Sequence, residues 1–192
     1  KQQMLLKRLD LRHAASASDF ARVSGSPISY WLPDAGRKAF ERGEPIAKIA
    51  EPKQGMATTD NNQFIRLWHE VSYKRIGFGC HSTDEASISG KKWFPYNKGG
   101  SFRKWYGNLE YVVNYENDGA ELKSVVKEKY REKDYAQGFS DEKWDKLIEV
   151  WVLKNQNSYF LPSLTWSFVS SSAFGVRRSD AGFIFDVGGS SA

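Results

Sequence analysis

Residues Lys91 to Tyr106 read Lys-Lys-Trp-Phe-Pro-Tyr-Asn-Lys-Gly-Gly-Ser-Phe-Arg-Lys-Trp-Tyr, with five cations, six aromatic residues and no acidic residue. Lys and Arg are almost never buried without a partner, and large aromatic residues are sparse on a surface that binds nothing. This mixture therefore predicts a contact surface. Gly99 and Gly100 would let the chain turn close to a ligand, because glycine has no side chain.

Nucleic acid is the first ligand class that this stretch suggests. Cations can neutralise a phosphate backbone, and flat rings can stack on bases. The residues predicted to contact phosphates are Lys91, Lys92, Lys98, Arg103 and Lys104. A purely structural interpretation stays open, in which the lysines are solvated and the core is formed by Trp93, Phe94, Phe102 and Trp105.

The composition is that of an ordinary folded protein. The chain has 192 residues, of which 40% are hydrophobic and 27% charged, so it can bury one sizeable core or two small ones. A net charge of +5 favours anionic partners. One cysteine, Cys80, cannot form an internal disulfide, and with three histidines it offers no spacing typical of a zinc site. We therefore expect no metal site and a cytoplasmic protein.

The ends of the chain suggest a piece of a longer protein. It begins at Lys1 rather than at Met, and it stops with Gly188–Ala192, directly after a strand-like run from Gly182 to Val187. No apolar run approaches the roughly 20 residues that cross a membrane, and the start has no secretory pattern. We therefore expect an excised segment that does not contact a membrane.

Turn residues and hydrophobic spacing predict short helices and strands. A helix is expected to follow Pro33 and to end at Gly43. A shorter helix is expected behind the cap Ser82. Strands are expected at Phe64–Trp68, Arg75–Gly79 and Tyr111–Tyr115.

Two further helices are expected between residues 120 and 151. The second would begin behind the cap Ser140, and its apolar spacing predicts one buried face formed by Trp144, Leu147, Ile148 and Trp151. Another short helix would include Met4 and Leu9. The predicted fold class is α+β, with a twisted, mostly antiparallel β core and peripheral helices.

Polar residues elsewhere are candidates for reading bases. The turn between residues 55 and 64 is rich in Gly, Thr, Asp and Asn, whose short side chains stay free to bond bases or phosphates. Arg suits guanine and Asn suits adenine in the major groove. Base or loop contacts are predicted for Thr58, Asn61, Asn62, Arg66, Trp105, Tyr106, Arg177 and Arg178.

A catalytic alternative is a metal-dependent nuclease. Asp34, Glu51 and Lys53 spell the Asp…Glu-x-Lys pattern in which two acids bind magnesium and the lysine polarises a phosphate. However, Pro52 would interrupt the strand that presents Glu51 and Lys53. Because this context is poor, we assign no catalytic residue to the chain and keep the nuclease only as the weaker hypothesis.

Several segments together resemble a known family, the PglX-type adenine-specific DNA methyltransferases of BREX phage-defence systems. The resemblance spans about residues 20 to 192. The segments that carry it are Ser26–Trp31, Ile49–Gly55, Lys91–Gly100, Phe102–Asn108, Glu116–Gly119, Thr165–Ser167 and Phe174–Arg177.

In that family an N-terminal domain binds S-adenosylmethionine and methylates adenine, and a later region recognises the target sequence. The resemblance implies that this chain is the start of the later region: residues 1–25 would be a linker or helix from the methyltransferase domain, and residues 26–192 a target-recognition domain that continues further. The cofactor motifs are absent, so the fragment itself would bind no cofactor and catalyse no reaction. Its implied partners are double-stranded DNA, the methyltransferase domain of the same chain and other BREX proteins.

A second function class also fits the residues. The chain could be a protein–protein interaction module within the defence complex, with Trp93, Trp105 and Tyr106 as interface anchors rather than platforms for bases. Binding that depends on salt would favour DNA, whereas binding that is insensitive to salt would favour a protein partner.

Overall fold

The computed structural model describes residues 13–131, 133, 136–169, 173–189 and 191. The chain divides into two compact units, Lys1–Glu51 and Pro52–Ala192. The helix predicted around Met4 and Leu9 lies outside the described residues, and the domain boundary expected after residue 25 stays a prediction. Among the helices of the described residues, none is long and apolar enough to span a membrane.

From residue 13 onward, the first unit contains two α-helices, α1 (Ala17–Ala21) and α2 (Asp34–Arg42), and a 3₁₀ turn (Ile46–Lys48). Helix α2 is flanked by Pro33 and Gly43, which confirms the predicted start and stop. Arg22 links the two helices, because its guanidinium lies 3.0 Å from Asp34 and 2.5 Å from Glu41.

The second unit carries the remaining elements. Its α-helices are α3 (Asn61–Phe64), α4 (Thr83–Ile88), α5 (Glu116–Arg131) and α6 (Asp141–Trp151). Its strands are β1 (Ile65–Leu67), β2 (Trp93–Asn97), β3 (Tyr111–Asn114), β4 (Ser163–Trp166), β5 (Val176–Ser179) and β6 (Ile184–Phe185). Short 3₁₀ helices span Trp68–Glu70, Tyr73–Arg75 and Gln156–Ser158.

The strands form two sheets. A four-stranded sheet has the order β1-β3-β2-β6, in which β1 and β2 pair antiparallel with β3, and β6 pairs parallel with β2. Strands β4 and β5 form a separate antiparallel ribbon, with Ser163 opposite Ser179 and Trp166 opposite Val176. These pairings confirm the predicted α+β class with a mostly antiparallel core.

The main core lies between the four-stranded sheet and helices α5 and α6. All five residues of β2 are buried, and the core cluster joins Phe94 and Val113 of the sheet to Leu122 and Ile148 of the helices. Residues 117–119, at the start of the α5 range, interrupt the helix with left-handed backbone. Such backbone favours Asn, Asp and Gly, and these are the residues found there.

One predicted strand is shorter than expected, and another is replaced by a different structure. Phe64 ends helix α3, because Asp60 caps that helix by accepting a hydrogen bond from the Gln63 backbone, so only Ile65–Leu67 is strand. In place of a strand at Arg75–Gly79 there is a 3₁₀ helix followed by a single bridge between Ile76 and Trp93. The prediction of a full strand there was wrong.

The predicted apolar face of α6 is correct only in part. Ser140 caps the helix as expected, and Trp144 and Ile148 are buried. Leu147 is half-buried, however, and Trp151 is 68% exposed. The reason is that α6 turns its 144–148–152 row towards the core, which leaves Leu147 and Trp151 lining an apolar cavity of about 380 Å³.

Candidate nucleic-acid interface

The stretch from Lys91 to Tyr106 divides into a buried strand and an exposed segment. Trp93, Phe94 and Tyr96 are core residues of β2. By contrast, Trp105 is 76% exposed and Tyr106 is 70% exposed. The structural interpretation of this stretch is therefore correct for its first half, and the second half presents large aromatic side chains to solvent.

A glycine turn separates these two halves. Gly99 has φ +80°, and a Cβ atom there would lie 2.6 Å from the Gly188 carbonyl oxygen. Both the backbone conformation and this close approach require glycine. The turn is closed by Ser167, whose hydroxyl accepts a hydrogen bond from the Gly100 backbone at 3.1 Å and donates one to the Gly100 carbonyl at 2.8 Å.

The exposed segment is fixed along the edge of β5. The Trp105 backbone N–H donates to the Val176 carbonyl at 2.9 Å, and the Arg178 N–H donates to the Trp105 carbonyl at 3.0 Å. A Cβ atom on Gly175 would lie 2.6 Å from the Arg103 carbonyl oxygen, so the two segments approach closely. We call the resulting face the β4–β5 surface; its exposed members are Phe102, Arg103, Lys104, Trp105, Tyr106, Leu164, Phe168, Val169, Phe174 and Arg178.

The cations of the β4–β5 surface remain accessible to solvent. Lys104 places its ammonium 5.7 Å from the centre of the Phe102 ring. Arg103 lies 3.9 Å from Glu110, and Arg178 lies 3.3 Å from Asp180, with all four of these side chains about half exposed or more. Exposed ion pairs contribute little stability, so a phosphate can replace these carboxylates at small cost.

The three other predicted phosphate contacts are bound within the protein. The Lys92 ammonium lies 3.0 Å from Glu121 and 3.7 Å from Glu116. Lys98 lies 3.1 Å from Asp186, and Lys91 donates to a backbone carbonyl at 2.8 Å. The hydrogen bond from Lys92, followed by one from Asn114, holds the pKa of Glu121 below its ordinary value.

A second site gathers residues that are distant in sequence. An open cleft of about 470 Å³ is lined by Asn61, Asn62, Ile65, Arg66, Leu67, Glu70, Lys98 and Tyr111. The structure thus brings together three predicted base contacts and one predicted phosphate contact. The Arg66 guanidinium donates to the carbonyls of Asn62 and Ile65 and lies 5.8 Å from the Trp93 ring, which fixes its position at the cleft wall.

Two predicted base contacts point into the protein. Arg177 is 1% exposed, and its Nε atom has no hydrogen-bond partner in the part of the chain that the structure describes. Burial lowers the pKa of this guanidinium. Thr58 is also buried, and its hydroxyl donates to the Asn61 side chain at 2.6 Å. Neither side chain reaches solvent here, so either would have to move to contact a base, and that role stays a prediction.

The sequence reasoning missed the apolar part of the β4–β5 surface. Leu164, Phe168, Val169 and Phe174 are all exposed, yet none was named as a candidate contact. A usable signal was present, since Phe168 and Phe174 bracket the polar run Ser170 to Ser172 in the sequence.

The residues of the nuclease pattern are engaged in other contacts. Asp34 lies 2.7 Å from Lys38 and 3.0 Å from Arg22, and these partners, Lys38 first, lower the pKa of its carboxyl. The Lys53 ammonium donates to the Ser158 hydroxyl at 3.0 Å. Among the residues that the structure describes, no group of three or more His, Cys, Asp or Glu side chains could hold a metal ion.

The fold and its surface define a class: an α+β protein with a basic and aromatic face. No protein-family model matches the chain. It is 35% identical over 191 residues to the adenine-specific methyltransferase PglX of Lacticaseibacillus casei (strain Zhang), an alignment that covers 96% of this chain and 14% of the relative. It is also 35% identical over 191 residues to the adenine-specific methyltransferase BrxX of Escherichia coli O9:H4 (strain HS), covering 99% and 13%.

These alignments confirm the resemblance to PglX-type adenine-specific methyltransferases along almost the whole chain. The chain spans about one seventh of the length of the curated relatives that it matches.

Proposed function

We propose that this chain is a DNA target-recognition segment of an adenine-specific DNA methyltransferase of a BREX-type phage-defence system. The observation that carries the proposal is the similarity of nearly the whole chain to one segment of two adenine-specific methyltransferases. The exposed cations and aromatic rings of the β4–β5 surface support it, because they are the side chains that bind phosphates and stack on bases.

In this proposal catalysis takes place elsewhere in the parent protein. A separate domain of the same chain would bind S-adenosylmethionine and methylate the adenine, and the present segment would position the double-stranded DNA. Other BREX proteins would be further partners of the parent enzyme, which would act in the cytoplasm.

Phosphate contacts are assigned to the exposed cations. Arg103, Lys104 and Arg178 have solvent-exposed side chains, so each can neutralise a phosphate without losing a buried contact. Lys98 lies in the cleft beside Asp186 and would contact a phosphate at the cleft rim. Lys91 would contribute through its positive charge, since its ammonium donates to a neutral backbone carbonyl. The charge of Lys92 is offset by Glu116 and Glu121, so its contribution would be smaller.

Base reading is assigned to the cleft. Asn61 and Asn62 are exposed there, and a side-chain amide can both donate to and accept from an adenine edge. Arg66 can pair with guanine in the same groove. Phosphate contacts fix orientation but carry no sequence information, so the cleft and the β4–β5 surface would have different effects on specificity.

A salt titration of DNA binding by the chain tests the proposal. We expect Lys104→Ala and Arg178→Ala each to flatten the log–log dependence of affinity on salt by about one unit, because each removes one phosphate contact. Lys146→Ala is the matched control, since Lys146 is an exposed cation of α6 paired with Glu142. Binding that ignores salt, or equal slopes in all four proteins, would contradict the proposal.

A protein-interaction module is the second candidate, because Trp105 and Tyr106 are largely exposed. Trp, Tyr and Arg dominate the energetics of protein interfaces. This function predicts that Trp105→Ala abolishes binding to a component of the defence complex and leaves DNA affinity unchanged. The DNA function predicts the opposite pattern.

A further inference from the structure

A small second core lies on the face of the four-stranded sheet opposite the main core. It is formed by Ile76, Trp93 and Val112, with Val71 packed against them. Trp93 and Val112 each come one position before a main-core residue of β2 or β3, and successive side chains of a strand point to opposite faces. The chain from residue 71 to residue 79 therefore packs on this second face through Val71 and Ile76.

Around these inward residues the chain presents rings and cations to solvent. Tyr73 is 70% exposed and Phe78 is 48% exposed, and their ring centres lie 5.2 Å apart. Lys74 and Arg75 are exposed neighbours of Tyr73 in the same 3₁₀ helix. We call Tyr73–Phe78 the aromatic-basic turn. Single exposed rings are normal on a protein surface, whereas rings that contact each other beside cations indicate an interaction site.

A third cation reaches the turn from the residues that precede β2. The Lys91 ammonium donates to the Lys74 carbonyl at 2.8 Å, and this neutral partner leaves its charge in place. The Lys92 backbone N–H donates to the Arg75 carbonyl at 3.1 Å, which fixes the two segments side by side. Along the described part of the chain, no acidic side chain pairs with Lys74, Arg75 or Lys91. Residues 71–79 also contain no Asp or Glu, so the turn favours an anionic partner.

The turn adjoins the cleft through Trp93. Ile76 forms a β-bridge with Trp93, and the Gly77 backbone N–H donates to the Trp93 carbonyl at 2.8 Å. From the cleft wall, the Arg66 guanidinium lies 5.8 Å from the centre of the Trp93 ring. A duplex whose base edges meet the cleft carries its phosphate backbone past the cleft wall, so the turn is placed to contact that backbone.

We propose that the aromatic-basic turn, together with Lys91, binds the sugar–phosphate backbone of the DNA beside the cleft. This inference rests on the proposed DNA-binding function and adds a phosphate-binding site that is separate in sequence from the β4–β5 surface. The three cations neutralise phosphates, and the Tyr73 hydroxyl can donate to a phosphate oxygen. Such contacts fix the register in which bases meet the cleft and carry no sequence preference of their own.

Tethered cleavage of bound DNA tests this placement. A cysteine is introduced at one exposed lysine at a time, as Lys74→Cys, as Lys104→Cys on the β4–β5 surface, or as Lys146→Cys on α6. Each cysteine carries an iron chelate whose hydroxyl radicals cut nearby DNA. Cys80 is buried, so the wild-type chain treated with the same reagent measures the background. We expect cuts in a bound duplex from position 74 and none above background from position 146.

A salt titration gives a second readout. Lys74→Ala/Arg75→Ala is expected to flatten the log–log dependence of affinity on salt by about two units, because it removes two phosphate contacts. Lys129→Ala/Lys146→Ala is the matched control, since it removes the same charge from exposed positions of α5 and α6, and it should keep the wild-type slope. All four side chains are exposed, so neither change is expected to disturb folding.

Cuts from position 104 without cuts from position 74 would overturn this inference and leave the proposed function standing. A wild-type salt slope in Lys74→Ala/Arg75→Ala would do the same, and it is the result expected if the turn binds an acidic protein instead. Failure of the wild-type chain to bind any duplex would overturn the proposed function, and this inference with it.

Discussion

Arg177 and Arg178 are neighbours in sequence and have opposite environments. Successive side chains of a strand point to opposite faces, so when Arg178 faces solvent Arg177 must face the interior. The sequence alone could not say which of the two is outside, because that depends on how β5 pairs with β4 and with Trp105. The structure places Arg177 inside and Arg178 outside.

This pair gives the first prediction. Arg177→Ala is expected to change the free energy of unfolding by more than Arg178→Ala does, because it removes a large side chain from a buried position. Arg178→Ala is expected to change it by about 0.5 kcal/mol or less. Urea denaturation of both variants measures the difference; equal values would mean that Arg177 is not a core residue.

The cleft gives a second prediction at the scale of a residue. Asn62→Ala in the parent methyltransferase is expected to relax the methylated motif at one position, because a good side-chain pair to a base edge is worth about 1–3 kcal/mol of discrimination. A methylation map of a host that carries the variant measures this. Asn157→Ala is the control, since Asn157 is exposed and outside the cleft. An unchanged motif in the Asn62 variant would remove that residue from base reading.

Helix α6 shows how tertiary packing corrects a prediction made from spacing. Ile148→Ala is expected to cost about 2–5 kcal/mol of stability, because Ile148 is fully buried in the main core. Trp151→Ala is expected to cost about 0.5 kcal/mol or less, because that ring is mostly exposed. Thermal melts compare the two, and a larger loss for Trp151→Ala would show that α6 is rotated from the position described.

The ion pair between Lys92 and Glu121 of α5 is expected to respond to pH. The pKa of Glu121 is lowered in the folded state, chiefly by Lys92, so the stabilisation is present above the unfolded pKa and is lost as pH falls through the lower folded pKa. Lys92→Gln should therefore lower the melting temperature near neutral pH, and the difference from wild type should shrink under acid conditions. Lys146→Gln, at an exposed pair with Glu142, should show little difference at any pH. A Lys92 effect that is constant with pH would contradict this account.

Local signals in the sequence predicted several elements correctly. The caps Ser82 and Ser140 both accept a hydrogen bond from the backbone N–H three residues later. Strand β3 coincides with the predicted run of strong β formers. The sequence could not predict that Phe64 ends a helix, or that Gly77 is not part of a strand. Nor does the sequence show why glycine stands at position 77, where a Cβ atom would lie 2.4 Å from the Phe94 ring.

At the scale of the whole molecule, composition indicated a basic and aromatic surface but not which residues form it. The exposed segment around Trp105 acquires its neighbours from β5, about 70 residues later in the chain. In the same way the cleft joins Asn61 and Arg66 to Lys98. Such proximities arise from strand pairing across the fold. A single sequence therefore shows the residue types, but the structure is needed to show which of them lie together.

The central claim is that this segment selects the DNA sequence that a methyltransferase modifies. The most direct measurement replaces the matching segment of the Lacticaseibacillus casei PglX with this chain and maps the methylated adenines in a host that carries the chimera. We expect the chimera to methylate the motif of the protein from which this segment comes, in place of the motif of the Lacticaseibacillus casei enzyme. Continued methylation at the recipient's own motif would contradict it.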